Sequence, residues 1–524
     1  MSYILLSMIP FIIAIALIIW REEPILPLLL SIFVALWILY RFNPVSAFLK
    51  LIGFAIANSL GETDNILLII MITEVLILSY LFKEGGHIKA LISIKRYKKL
   101  SRYIIEYIMI GLSFLLSFEE RLSTLMSGVF LKAFVNEKGI TKERFSFLIN
   151  NLGPSFYTLI PLTLFTPIIT RVIGGSLSSL GIDYPSLKVF LHSIPFQFYN
   201  IFILIIIASS SILKKDIIPI ANPIKKDSSV NSTKATLSKE KEDKNDYSLV
   251  IAPYKKIGRK PDKINDSLYS AGISFVVTTI ALVTTAIFLI VQFYKGKLIE
   301  LQNFERIFTA AIFGGILYYI IYSLIFKSVS IKMLSTKNNS NAKTLIVILY
   351  IILSLALLFI AKKLEIFSKL TEIIFSSGKI DLSWYPLIFF FISALSSFLT
   401  GSRITVLYIL IPMAFKLISI NLPDPLIINY FHYAVLGAII SGSSFGIINS
   451  PLSPIFIIST ASSELSIKTH FVSQIYYSAI ALVFSALFGY LLSFFNISPY
   501  LSISMGLIFI SSFFTFCKRF MAGN

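Results

Sequence analysis

Long apolar runs recur from one end of the chain to the other, at about 3–20, 25–40, 65–82, 188–212, 269–293, 305–326, 344–361, 472–495 and 498–517. An α-helix advances about 1.5 Å per residue and the hydrocarbon layer is roughly 30 Å thick, so a stretch of about 20 apolar residues spans it. These runs predict membrane-spanning helices. The first, Tyr3 to Trp20, has no basic segment before it and no small-residue cleavage site after it, and is expected to be a retained span rather than a signal peptide.

Four further apolar regions are interrupted at their middles. Tyr103 to Val135 has two arms around Ser117-Phe118-Glu119-Glu120-Arg121-Leu122-Ser123-Thr124. Each arm reaches only about 22 Å, and basic residues flank both ends, Lys95 to Arg102 before and Lys132 to Arg144 after. Short arms with like flanks predict a re-entrant hairpin whose tip lies near mid-membrane. Phe145 to Val172 is long enough to cross but contains Asn150-Asn151-Leu152-Gly153-Pro154. Proline lacks an amide donor and glycine weakens a helix, so a broken helix is expected there. The same pair recurs later. Trp384 to Leu417 surrounds Thr400-Gly401-Ser402-Arg403-Ile404-Thr405, and Tyr430 to Ile458 is interrupted by Ser441-Gly442-Ser443-Ser444-Phe445-Gly446 and by Asn449-Ser450-Pro451-Leu452-Ser453-Pro454.

The pattern predicts an all-α polytopic membrane protein of two inverted repeats, each with three spans, a re-entrant hairpin, a broken helix and a further span. Residues 1–213 form the first repeat and 269–497 the second, with an extra transmembrane helix and tail at 498–524. Between the repeats, 214–268 holds 13 Lys/Arg and 8 Asp/Glu with little apolar periodicity, and reads as a polar cytoplasmic linker. Each repeat has an odd number of crossings if hairpins count as none, so the two insert with opposite orientation, the plan of secondary transporters. The N-terminus is then expected outside and the C-terminus in the cytoplasm, in a cytoplasmic (inner) membrane.

Composition supports this reading. Of 524 residues, 56% are hydrophobic and only 14% charged, against about 25% charged in soluble domains, and no separate enzyme domain fits between the spans. The net charge of +19 suggests nucleic acid in isolation, but the basic residues lie mainly between spans on one predicted side, where they set orientation. Nucleic acid is therefore not an expected partner. The bilayer, a small cation and the proton are, with a homodimer as an open arrangement. The lone Cys517 has no partner for a disulfide or a metal site.

Breaks in helices at membrane depth survive only where protein buries them or a polar cavity faces them, so the four interruptions predict one shared central site. Glu119 and Glu120 carry the sharpest signal, because adjacent carboxylates within a membrane are costly unless something binds them. They are the candidate Na+ ligands; the plain alternative is a wet vestibule in which Arg121 pairs one of them. Arg121 and Arg403 are candidate charge partners or anion ligands. Asn150, Asn151, Ser402, Ser443, Ser444, Asn449 and Ser450 offer neutral oxygens for an ion or substrate, against simple helix capping. Glu74, midway along 65–82, is a candidate proton relay, and Glu106 is expected to reach the basic interface. Two Arg and four Glu are thus embedded. His87, His192, His432 and His470 lie near predicted helix ends without metal-ligand spacing, and are expected to be interfacial. No phosphate-binding loop and no arginine-periodic helix occurs, against nucleotide-driven pumping and voltage sensing.

Several short motifs fall in a characteristic order. Glu84-Gly85-Gly86, Ser101-Arg102, Phe118-Glu119-Glu120, Gly139-Ile140-Thr141-Lys142-Glu143-Arg144-Phe145 and Leu159-Ile160-Pro161 lie in the first half. Thr400-Gly401-Ser402, Gly442-Ser443-Ser444-Phe445-Gly446 and Ser450-Pro451-Leu452-Ser453 lie in the second. On these residues the chain resembles the NhaC family of sodium/proton antiporters. The resemblance implies Na+/H+ exchange by alternating access, no cofactor beyond the transported ions, and a paired acidic tip at Glu119 and Glu120. The chain departs from the family where it carries Ile447, Pro454 and either Asn150 or Asn151 in place of acidic residues. Three alternatives stay open: a carrier for an anionic organic solute, a divergent paralogue without exchange, and a scaffold recruiting partners through 214–268.

Overall fold

The computed structural model describes residues 2–61, 65–67, 69–74, 77, 101–137, 140–213, scattered positions from 306 to 321, 340–375, 380–422, 424 and 427–522. The expected linker, the span 269–293, most of 305–326, the end of 65–82 and His87 lie outside these residues. Among the described residues the chain is helical without strands, an all-α polytopic membrane protein. Six helices among the described residues are long and apolar enough to cross a membrane, or seven if one bent pair is a single span.

Of three N-terminal helices, α1 (Ser2–Arg21), α2 (Ile25–Leu39) and α3 (Pro44–Gly61), the first and third pack on the second. The apolar pattern assigns nothing to α3, because Lys50, Asn58 and Ser59 dilute it. Its start is nonetheless encoded, with Pro44 in the first helical position and the Asn43 side chain accepting the Ser46 amide at 3.1 Å. Far along the chain, α10 (Ser340–Lys363) returns to α2 and α3. Phe11, Ile18, Leu28, Ile32, Leu36 and Leu357 are among the buried side chains of this group.

The first hairpin comprises α4 (Arg102–Leu115) and α5 (Glu120–Glu137), joined through residues 116–119. Next come α6 (Lys142–Leu159), α7 (Phe165–Ser179), α8 (Ser186–Ser193) and α9 (Phe198–Leu213). In the second half α11 (Ile366–Phe375) precedes α12 (Tyr385–Thr400) and α13 (Arg403–Ile420), which form the second hairpin. They are followed by α14 (Tyr430–Asn449), α15 (Pro454–Ser463), α16 (Ile467–Phe484) and α17 (Pro499–Ala522). Side-chain caps mark several starts: Thr141 accepts the Arg144 amide, Ser402 that of Thr405, and Asn429 with His432 closes a capping box on α14.

The hairpin tips fall where the polar pattern puts them, and so does the break at Asn449 to Pro454, but those expected at Asn150 to Pro154 and Ser441 to Gly446 do not. α6 runs unbroken through Asn150 to Pro154, and its interruption comes at 160–164 instead. α14 likewise runs unbroken through Ser441 to Gly446, and breaks only at 450–453. The glycines taken as breakers are contact points. A Cβ on Gly153 would meet Ser123 of α5 at 2.9 Å, and Cβ atoms on Gly442 and Gly446 would overlap Phe390 and Ser397 of α12. Away from water, a helix with few competing hydrogen-bond partners tolerates glycine and proline, and small residues let backbones approach. Ser393 and Ser397 of α12 extend this approach, donating to the Ile439 and Ser443 carbonyls of α14 at 2.6 and 2.9 Å.

Two apolar runs also differ from simple crossings. The run 188–212 is bent by 45° between α8 with its following turn and α9, at Gln197. The run 472–495 leaves α-geometry at Ser485, passing through a π-turn to Tyr490 and a short 3₁₀ turn to Phe495. A Cβ on Gly489 in that π-turn would overlap the Phe198 ring, so the distortion brings the backbone against α9.

Candidate functional site

The two hairpin tips meet. Glu120 is the first residue of α5 and Arg403 the first of α13, and the Arg403 Nη1 donates to Glu120 Oε2 at 2.6 Å. Both residues are buried, 3% and 6% exposed. The Arg403 Nη2 donates to Ser444 Oγ of α14 at 3.2 Å and to the Pro154 carbonyl of α6 at 3.5 Å. The rings of Tyr157 and Phe165 lie 5.8 and 5.9 Å from its guanidinium carbon. Arg403 thus gathers parts of all four polar regions, reaching across 283 residues of sequence to Glu120. Its Nε, also buried, has no hydrogen-bond partner.

Each tip is seated on the break in its own half. The Phe118 carbonyl, in the first tip, accepts the Leu164 amide at 3.0 Å, from the interruption between α6 and α7. Gly401, in the second, has φ +67° and packs so closely on the break after α14 that a Cβ would lie 2.6 Å from the Leu452 carbonyl carbon. Only glycine satisfies both demands, the left-handed backbone and the close approach.

Glu119 has different surroundings from Glu120. It precedes α5 and accepts the Leu122 amide at 2.6 Å, a helix-capping contact that places a negative charge at the positive end of the helix. Arg121 approaches its other oxygen at 3.8 Å and is partly exposed. Two carboxylates, two guanidinium groups and a helix start therefore share one buried region. Among the described residues, no group of three or more His, Cys, Asp and Glu could hold a metal ion.

The remaining sequence candidates divide. Ser444 joins the centre through Arg403, whereas the Ser443 hydroxyl bonds the Ile440 carbonyl of its own helix. Ser402 and Ser450 cap turns, accepting the Thr405 and Leu452 amides. Asn150 crosses to the second half, donating to the Ile448 carbonyl at 2.8 Å and accepting from Ser459. Asn151 forms a reciprocal amide pair with Gln474 of α16, both contacts 3.1 Å. Asn449 donates to the Phe445 carbonyl, and its Oδ1 is buried without a partner. Glu74 is buried with its Oε2 unbonded.

Three expectations are corrected. Glu106 does not reach an exposed basic interface; it is buried and accepts from Arg144 at 3.0 Å, Ser211 at 2.8 Å and Arg102 at 3.2 Å. Arg144, read as part of the flanking positive charge, is buried with it, so the embedded charges become three Arg and four Glu. His432 and His470 are interior, the latter stacked on Phe456 and bonded to Thr460. Sequence reasoning also missed Gln474, Ser459 and the ring pair Tyr157 and Phe165. Gln474 left a signal, an amide inside the run 472–495; the others did not.

Residues 159–497 match the family described as the Na+/H+ antiporter family. The chain belongs to that family. The match begins after the paired glutamates and takes in the second hairpin, with Arg403, Ser444 and Asn449. Membership makes the chain a multi-pass membrane transporter of the cation/proton antiporter type. No curated protein matches it.

Proposed function

We propose that the protein exchanges Na+ for H+ across the cytoplasmic membrane, by alternating access around the two hairpin tips. The observation that carries this is the pair Glu119 and Glu120, two buried carboxylates at a helix break where four polar regions converge. A carboxylate there binds either a cation or a proton but not both, the competition on which exchange depends. The seating of each tip on its own half's break supports the reading as two inverted repeats, 1–213 and 269–497; the N-terminus outside and the 214–268 linker in the cytoplasm rest on the basic excess between spans.

Glu119 offers the cation a carboxylate whose ion-pair contact with Arg121 is longer, at 3.8 Å, than that of Glu120 with Arg403, and backbone carbonyls at the breaks supply neutral oxygens. Purified protein in liposomes is expected to collapse an imposed pH gradient when Na+ is added. The Glu119→Gln/Glu120→Gln variant is expected not to. Absence of any Na+-dependent collapse by the wild-type protein would sink the proposal.

One observation favours a second reading, a carrier for an anionic organic solute: the unbonded Nε of Arg403 is a buried cationic donor that a substrate carboxylate would satisfy. Solute uptake abolished by Arg403→Ala, in protein that shows no Na+-dependent proton movement, would select it.

A further inference from the structure

We propose that Arg403 is a resident counter-cation: in the empty protein its guanidinium holds the Glu120 carboxylate, and the transported cation must compete with it for that carboxylate. The inference rests on the exchange reading, which makes Glu120 a cation ligand.

The geometry sets Arg403 apart from an ordinary structural ion-pair partner. Its 2.6 Å contact with Glu120 comes from the opposite hairpin, so the pair bridges elements that belong to different halves. Its other nitrogen already rests on Ser444 Oγ and the Pro154 carbonyl, and Tyr157 and Phe165 lie within cation–π distance. These contacts remain when Glu120 turns to another cation, so the guanidinium has a place to stay and need not leave the site. Arginine does not lose its proton in proteins, which makes it a competitor that is always charged. Glu119 is held differently: its cationic partner Arg121 belongs to the same tip, stands 3.8 Å away and is 20% exposed. The two adjacent acids therefore differ: one is held by a tethered cation and the other by a helix start.

Competition of this kind weakens cation binding, and removing the competitor strengthens it. Na+ binding to purified protein by calorimetry, and the Na+ concentration for half-maximal exchange in liposomes, are measured for wild type, Arg403→Gln, Arg403→Lys and Arg403→Gln/Glu120→Gln. Arg403→Gln is expected to lower the half-saturating Na+ at least tenfold, about 1.4 kcal/mol, and the double variant to lose that gain because the freed carboxylate is gone. The double variant carries no unpaired buried charge and is expected to fold. Should Arg403→Gln not fold, Arg403→Lys decides, since a single ammonium forfeits the forked geometry and is expected to lower half-saturation at least threefold. Unchanged or weaker Na+ binding in the variants, beside normal exchange by the wild type, overturns the counter-cation alone. Binding that appears only once Arg403 is replaced overturns both readings, because no cation then displaces the arginine in the wild type; so does the absence of binding in every variant.

Discussion

Arg144 and Glu106 form an ion pair 3.0 Å long in which each side chain is 1% exposed. It ties the start of α6 to the outer arm of the first hairpin, and Ser211 near the end of α9 bonds both partners at 2.8 Å. A buried charge is tolerable only while its partner is present, so the pair fixes where the hairpin's outer arm stands against its neighbours.

Removing Glu106 takes the carboxylate away from the buried Arg144, whereas removing Arg144 leaves Glu106 its Arg102 and Ser211 contacts. Glu106→Leu alone is expected to destabilise the protein by about 3–5 kcal/mol and Arg144→Met by less, whereas the double variant should cost less than the sum. Thermal unfolding in detergent, followed for the two single variants and the double, checks this. Additive losses would show that the charges do not act as a pair.

The contact between α12 and α14 makes a packing prediction. Gly442→Ala and Gly446→Ala place methyl groups against the Phe390 carbonyl and Ser397, neither of which can yield cheaply. Each is expected to cost about 1–3 kcal/mol, while Gly111→Ala, which meets open space, is expected to be neutral or mildly stabilising. Comparing melting temperatures of the three variants in one detergent tests it.

How much of this was legible depends on the kind of signal. Apolar runs give α1, α2, α10 and α17, and charged residues inside apolar regions give Glu119, Glu120 and Arg403, because burying charge is costly enough to mark a site. The meeting of Glu120 with Arg403 is not legible, since nothing local in either segment specifies a partner 283 residues away. Glycine misled: in Gly153, Gly442 and Gly446 the missing side chain serves close packing, and the local sequence of a packing glycine is the same as that of a breaking one. Arg144 misled for a related reason, because a basic residue at the end of a span is usually an orientation signal and only the fold reveals Glu106 beneath it.

Asn151 and Gln474 lie 323 residues apart and exchange two amide hydrogen bonds. Gln474→Leu leaves the Asn151 carbonyl oxygen without its partner in a fully buried position, at an expected cost of about 1–3 kcal/mol. In the Asn151→Leu/Gln474→Leu variant neither amide is stranded, and the coupling energy of the cycle is expected to be about 0.5–3 kcal/mol. A coupling indistinguishable from zero in unfolding experiments would mean that the two helices are held by their apolar contacts alone.

The two adjacent acids should separate stability from function. Glu120→Gln removes the counter-charge of a buried arginine and is expected to destabilise the protein by about 3–5 kcal/mol. Glu119→Gln keeps a side-chain oxygen that can accept the Leu122 amide, and Arg121 is partly exposed, so its expected cost is below about 1 kcal/mol. Yet Glu119→Gln removes the more loosely paired carboxylate, which on the exchange reading takes a cation or a proton in turn. It is therefore expected to melt near the wild-type temperature while losing at least nine-tenths of Na+-dependent proton movement in liposomes. A Glu119→Gln protein that melts normally and exchanges normally would remove Glu119 from the transport site. The exchange would then rest on Glu120, and on whatever displaces Arg403 from it.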